Sequence, residues 1–375
     1  MHSMAIDRRG LLFGLAALFV LPGAMRGATA ASPGRIYFSA RGDAEGGFHA
    51  AAFGEDGRAL FDLPLPGRGH SLALHPRRPE AVFFARRPDR FACAVDISAR
   101  AVTASFETPQ DRHFYGHGLF DPSGRLLYAT ENDFAAGRGV IGIYDAQDGY
   151  RRIGELPSHG VGPHDLRLLS DGTTLAVANG GLESHPDMPR AALNVPDMVP
   201  SLAFIDRRDG QLLTDMRLAP SLHLLSIRHL AVGRSDRVAF AMQYQGPVGD
   251  PVPLVGVRMR DGTVRLFDEP SPALRRMRQY CGSVAFDLAG RTVAATSPRG
   301  NVAVFWDVDS SKPPRSVKIA DVCGVSATGR AHEFLLSSGQ GGVFQIDAET
   351  GASDAIESRF LDSGLWDNHI LSAQI

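Results

Sequence analysis

Seven times along the chain a metal-ligating side chain stands just ahead of a short apolar segment. The residues are His70 in RGHSLAL, His117 in YGHGLF, His164 in GPHDLRLL, His229 in SIRHLAV, Cys281 in YCGSVAF, Cys323 in VCGVSA and His369 in WDNHIL. Neutral imidazole suits zinc, copper, iron and nickel, and thiolate biases a site towards softer ions such as copper(I) or zinc. One His before a strand is ordinarily a hydrogen-bonded structural residue. Five of thirteen His and two of three Cys at equivalent places in seven repeats make a different pattern. It predicts a centre for a transition metal, iron or copper, or for haem. The competing reading is that crowding at an axis selects small or polar residues there. Three or four ligands satisfy most single ions, so some ring members would serve as support. Asp165, Arg228 and Asp367 each adjoin a ring histidine and are placed to orient an imidazole or neutralise charge.

The elements that must carry this ring follow from a repeat of roughly 45–60 residues. Each unit has the His- or Cys-led strand, a turn such as DPSG or LSDG, and a second strand. A third strand ends in Asp and a turn, as in VIGIYDAQDG, SLAFIDRRDG and GVFQIDAETG, and a variable fourth strand follows. Short strands with regular Gly, Asp and Pro punctuation indicate an all-β propeller. Counting inner strands predicts seven blades over residues 31–375, a single domain. Only HILSAQI fits after His369, whereas RIYFSARG, FHAAAFGEDG and ALFDLPLP precede the first ring position. The last blade is therefore expected to combine both ends of the chain, leaving no open sheet edge. Spacing is uneven: His117 and His229 lie four residues before the turn, His70 and His164 five, and Cys281 six, with Ser283 at the four-back place. Strand faces alternate with period two, so a one-residue difference turns a side chain away unless the loops absorb it.

In a four-stranded blade, the loop into the innermost strand and the loop between the second and third strands share a face. Asn132, Asn179 and Gln243 thus fall on the ring's side and, with Arg228 and His185, form the candidate set for holding a cofactor. The longest insertion, residues 180–199, carries His185, Asp187, Arg190 and Asn194. Long loops in compact domains are usually functional or disordered. With several apolar residues and no charge run, this one reads as a lid over the central mouth.

Bulk properties narrow the partners. A net charge of −2 gives no basic footprint, which argues against nucleic acid. Hydrophobic content of 44% and charged content of 21% are those of a globular protein. Residues 1–30 read as a cleavable export signal, with Arg8-Arg9 ahead of the apolar run LLFGLAALFVLPGAM and small residues Ala28-Thr29-Ala30 before the cut. The paired arginines point to the twin-arginine route and so to the periplasm, with no stable membrane span after cleavage. Three cysteines make a poor disulfide framework. Cys93 in FACAV reads as a buried hydrophobe, while Cys281 and Cys323 are open to three roles: ligands, a cross-blade disulfide, or inert core thiols. There is no G-x-S-x-G elbow, H-E-x-x-H helix or P-loop.

With these residues in view, the chain resembles the bacterial family known as domain of unknown function 1513. The likeness runs through HFYGHGLFDPSGRLLYATEND, GVGPHDLRLLSDGTTLAVANGG, SIRHLAV, YCGSVAFD and the terminal WDNH. It implies an exported propeller without an established activity. It also implies a setting of iron acquisition, beside imelysin-like and cytochrome-peroxidase-like partners. The ring is similar in kind to that of nitrous oxide reductases, whose propeller holds a copper cluster on histidines, although two positions here are cysteine. Three functions follow as expectations: a periplasmic metal-handling propeller, a metal-dependent oxidoreductase with its ion under the 180–199 loop, or a scaffold whose ring is structural.

Overall fold

The computed structural model describes residues 34–188 and 191–374; the expected signal, residues 1–30, and Arg190 lie outside them. Six four-stranded antiparallel sheets follow one another along the chain, and a seventh sheet joins its two ends. Blades 1 to 6 begin with the inner strands Gly69–Leu74, Arg112–Phe120, Pro163–Leu168, Leu225–Val232, Ser283–Phe286 and Val322–Ala327. Blade 7 contains Arg35–Gly42, Phe48–Gly54 and Ala59–Pro64, and both Leu365–Trp366 and Leu371–Gln374 pair with Arg35–Gly42. This is the seven-bladed propeller that the strand count predicts, closed by both ends of the chain.

Second strands such as Glu80–Ala85 and Thr174–Asn179 are buried almost throughout, because neighbouring blades cover both faces. They consequently read as continuous apolar runs rather than as alternating ones. Many of their residues are Ala, which lets the blades approach one another towards the axis. Outer strands such as Ala101–Glu107 face solvent. The turn aspartates hold the corners through their carboxylates: Asp121 Oδ1 accepts from Leu126 N at 3.0 Å and Asp287 Oδ1 from Thr292 N at 2.9 Å.

A repeated irregularity of the inner strands positions the ring. Pairing between first and second strands slips within Gly69–Leu72, Phe114–Gly118, Pro163–Asp165, Ile227–His229 and Val322–Val325. Those segments contain His70, His117, His164, His229 and Cys323. A bulge inserts a residue and re-aims its side chain, so four-back and five-back histidines can converge on one axis. In blade 7 the inner strand is broken instead, and His369 sits in the gap between Trp366 and Leu371, with Ser39 Oγ donating to its carbonyl at 2.7 Å. Blade 5 pairs without a slip, and Cys281 stands ahead of its strand. Space around the ring is tight. Gly116 has φ +95°, and a Cβ there would lie 2.7 Å from His70 Cδ2, a place open only to glycine.

Candidate metal centre

Five of the seven ring residues meet. Ring centroids lie 5.1 Å apart for His70–His117, 5.2 Å for His117–His164 and 4.7 Å for His164–His229. The circuit closes through His229–His369 at 4.9 Å and His369–His70 at 4.6 Å. His117 also reaches across to within 4.6 Å of His369. These come from five consecutive blades, counting round through blade 7, so imidazoles plug the channel. All five are buried, His117 completely.

Two carboxylates hold the rings, each from a neighbouring blade. Asp367 Oδ1 is 2.8 Å from His70 Nδ1, leaving His70 Nε2 for the centre. Asp165 Oδ1 is 3.1 Å from His117 Nδ1, a contact too poorly aligned for a full hydrogen bond but close enough to fix the ring. Each aspartate adjoins one ring histidine in sequence yet orients a different one, which adjacency alone does not reveal. Ser283 Oγ lies 3.5 Å from His369 Nδ1, so the four-back position of blade 5 faces the cluster where Cys281 does not.

Burial sets the protonation. It pulls His70 down to about 4, with Asp367 opposing, and holds His164, His229 and His369 well below the usual imidazole range, their mutual repulsion adding to it. Asp165 is buried, which alone would raise it, but Arg167 and His117 keep its carboxyl well below the ordinary range. Asp367 behaves likewise under Arg86, His70 and Arg68. At neutral pH these four imidazoles are therefore uncharged, the form that binds metals.

Six ring nitrogens in this cluster are buried without a hydrogen-bond partner: both of His117, both of His229, Nδ1 of His164 and Nε2 of His369. Buried polar atoms are rarely left so. Two triads, His70–His117–His164 and His117–His229–His369, each offer three ligand atoms within 4.8 Å of one another. A tetrahedral ion with bonds near 2.0–2.1 Å holds its ligands about 3.4 Å apart, within reach of small ring movements. The donor set fits such an ion.

The cysteines stand apart. Cys281 is buried in the apolar cluster between blades 4 and 5, its thiol donating to Leu254 O at 3.5 Å, because blade 5 has no bulge to turn it inward. Cys323 donates to Asp321 O at 3.1 Å beside the upper mouth. All three cysteines are free thiols, so no cross-blade disulfide forms.

Of the residues expected to hold a cofactor, three latch loops. Asn132 Nδ2 donates to Ser184 O at 2.9 Å, Asn179 Nδ2 to Ser158 O at 2.9 Å, and Gln243 Nε2 to Cys281 O at 3.0 Å. His185 packs on Phe134 at the rim, 5.1 Å between centroids. The described part of the 180–199 loop lies on blade 2, where Ser184 contacts Tyr115, and Tyr115 in turn lies beside His164. Arg228 remains, buried, its Nε donating to Ser226 Oγ at 2.8 Å. Arg68, Arg86, Arg167 and Tyr280, which the repeat pattern does not mark, complete the surroundings.

A family model described as a protein of unknown function, DUF1513, matches residues 63–373. The chain belongs to this family. All seven ring positions of the DUF1513 protein fall inside the matched segment. A search among curated proteins returns no match. Among solved structures the family member is similar to Kuenenia stuttgartiensis hydrazine synthase, at 13% identity and a TM-score of 0.60, over 90% of this chain and 99% of that one. At that identity the likeness shows the propeller fold alone.

Proposed function

We propose that this protein is a periplasmic propeller, exported by the twin-arginine route, that binds a transition metal ion in the five-histidine cluster and serves its acquisition or handling. The observation that carries the reading is the set of six buried, unpartnered imidazole nitrogens within the five-histidine cluster. An all-nitrogen donor set binds copper most tightly of the divalent series, and iron is the ion that the family resemblance implies. Rings packed 4.6–5.9 Å apart favour a bare ion over a haem. Delivery to or from imelysin-like and cytochrome-peroxidase-like proteins belongs to the same proposal.

The test is elemental analysis of the mature protein from its native periplasm, beside a variant carrying His117→Ala, His164→Ala and His229→Ala. Stoichiometric copper or iron in the first and its loss in the second is the expected result. A native protein that stays metal-free, even after reconstitution with either ion or with haem, overturns the reading.

A further inference from the structure

Two cavities flank the histidine cluster, one on each face of the propeller, and they differ in what separates them from the rings. On the loop-bearing face a cavity of about 500 Å³ has Asp367 in its wall but none of the five histidines. A set of ion pairs closes it off on that side: Asp367 is held by Arg68 at 2.7 Å, by Arg86 at 3.2 Å and by His70 at 2.8 Å. Further round the axis Tyr115, two residues ahead of His117, lies beside His164 and is tied to Ser184 of the 180–199 loop. Breaking buried ion pairs to let a solute through is strongly unfavourable.

The opposite face reaches the cluster directly. There a cavity of about 400 Å³, bordered by the corner turns at Gly233 and Asp287, has His369 and Ser283 in its wall. Ser283 Oγ lies 3.5 Å from His369 Nδ1, so the edge of one ring and one hydroxyl are shared between cavity and cluster. Small residues line the approach. Ala231 and Ala285 stand two residues beyond His229 and Ser283, hence on the same strand face, and Ser326 and Ser372 line it from blades 6 and 7. Arg167 also lines this cavity, but its charge is met by Asp165 at 3.2 Å and its Nε donates to Leu230 O at 3.0 Å, which holds it against the wall.

We propose that this mouth, on the face away from the 180–199 loop, is the port of the histidine cluster, through which a hydrated transition-metal ion reaches the rings past Ser283 and His369. The alanines and serines of blades 4 to 7 leave room for an ion with its water, whereas the cavity on the loop-bearing face ends at the ion pairs of Asp367. It follows that an ion in the cluster would exchange on the side opposite the longest loop. That the port serves an ion rests on the metal reading; that it opens onto His369 does not.

Two measurements on the mature protein test this. In the first, protein loaded with copper(II) meets excess EDTA, and the copper that stays bound is followed with time. Ala285→Trp, which fills the port, should slow release at least tenfold at unchanged initial content, and Arg299→Trp, in the wall of the other cavity, should change it less than twofold. Release that Ala285→Trp leaves unaltered, or that Arg299→Trp slows more, overturns the proposal. The second measurement needs neither metal nor a variant: diethyl pyrocarbonate, a small reagent that acylates imidazole, is applied to the metal-free protein and the modified residues are mapped by peptide mass spectrometry. His369 should react at least fivefold faster than His70, His117 and His164, and a rate no faster than theirs overturns the port. Preferential reaction of His369 in a protein that takes up no copper sinks the metal centre and leaves the opening standing.

Discussion

Asp165 offers the sharpest probe of the centre. Its side chain has no solvent exposure and is met by three donors and the edge of His117, from three blades in all. Oδ1 accepts from Leu166 N at 2.8 Å and lies 3.1 Å from His117 Nδ1; Oδ2 accepts from Leu230 N at 2.9 Å and pairs with Arg167 at 3.2 Å. Asp165→Asn preserves the shape but turns one end of the carboxylate into a donor. With the amide nitrogen on the Oδ2 side, Leu230 N loses its acceptor and Arg167 its counter-charge. On the Oδ1 side it meets Leu166 N and forces His117 to accept at Nδ1, which places the ring proton on Nε2 and blocks that nitrogen as a ligand. Breaking a buried ion pair from one side costs about 3–5 kcal/mol, a large part of the roughly 5–15 kcal/mol that stabilises a domain. Loss of a carboxylate behind a ligating histidine typically lowers metal affinity about 10–100-fold. Urea unfolding of the metal-free protein measures the first effect, and competition against a chelator measures the second. A variant within about 0.5 kcal/mol and twofold of the parent in both assays refutes the account of the Asp165–His117 link.

Acid should weaken the metal-free fold through His113, whose burial, with Arg87 and His185 adding repulsion, holds it at about 4. The unfolded chain takes up this proton near pH 6.5 and the native state does not, so the stability is full above that pH and is lost as pH falls towards 4. The shift corresponds to about 3 kcal/mol, and a urea midpoint that is flat between pH 7 and 4.5 contradicts it. Cys281→Ala and Cys323→Ala should leave metal content unchanged, since neither thiol faces the cluster, and Cys281, pushed up to about 12 by burial, should resist a thiol reagent in the native state. Loss of metal in either variant would return the cysteines to the ligand set. Gly116→Ala should destabilise the protein by about 2–4 kcal/mol, because φ +95° is strained for an alanine and its Cβ drives into His70; a thermal midpoint equal to the parent's argues against that packing.

The blade count was legible because each inner strand is led by a His or Cys and most third strands end in an Asp turn. The composite seventh blade was legible from the strands left over at either end. Which ring members share the axis was not, because facing depends on pairing register. His70 and His164 sit five residues before their turns yet reach the centre beside the four-back His117 and His229, all four lying in bulged segments. Cys281 sits six before, blade 5 pairs regularly, and the side chain that points inward is Ser283. Strict alternation would have kept Cys281, six back and of the same parity as His117, and wrongly excluded His70 and His164. Partner choice was equally hidden: Asp165 and Asp367 stand next to His164 and His369 in the chain but orient His117 and His70 across a blade boundary. Strand period specifies a face, whereas bulges and neighbouring blades decide what that face meets.

His117 is the residue on which the reading of the centre turns, because it belongs to both triads. Three histidines are sufficient to hold an ion with a position left open. His164→Ala therefore leaves the His117–His229–His369 triad intact, and His229→Ala leaves His70–His117–His164. An ion seated in one triad will be lost from one of these variants and retained by the other, while His117→Ala loses it in either case. An ion shared by all five rings predicts weakened binding in every single variant and outright loss in none. Elemental analysis of the three variants, each checked for folding by its thermal midpoint, distinguishes these arrangements. Full retention of metal by a folded His117→Ala protein would remove the axial cluster as the centre, since no triad survives that change.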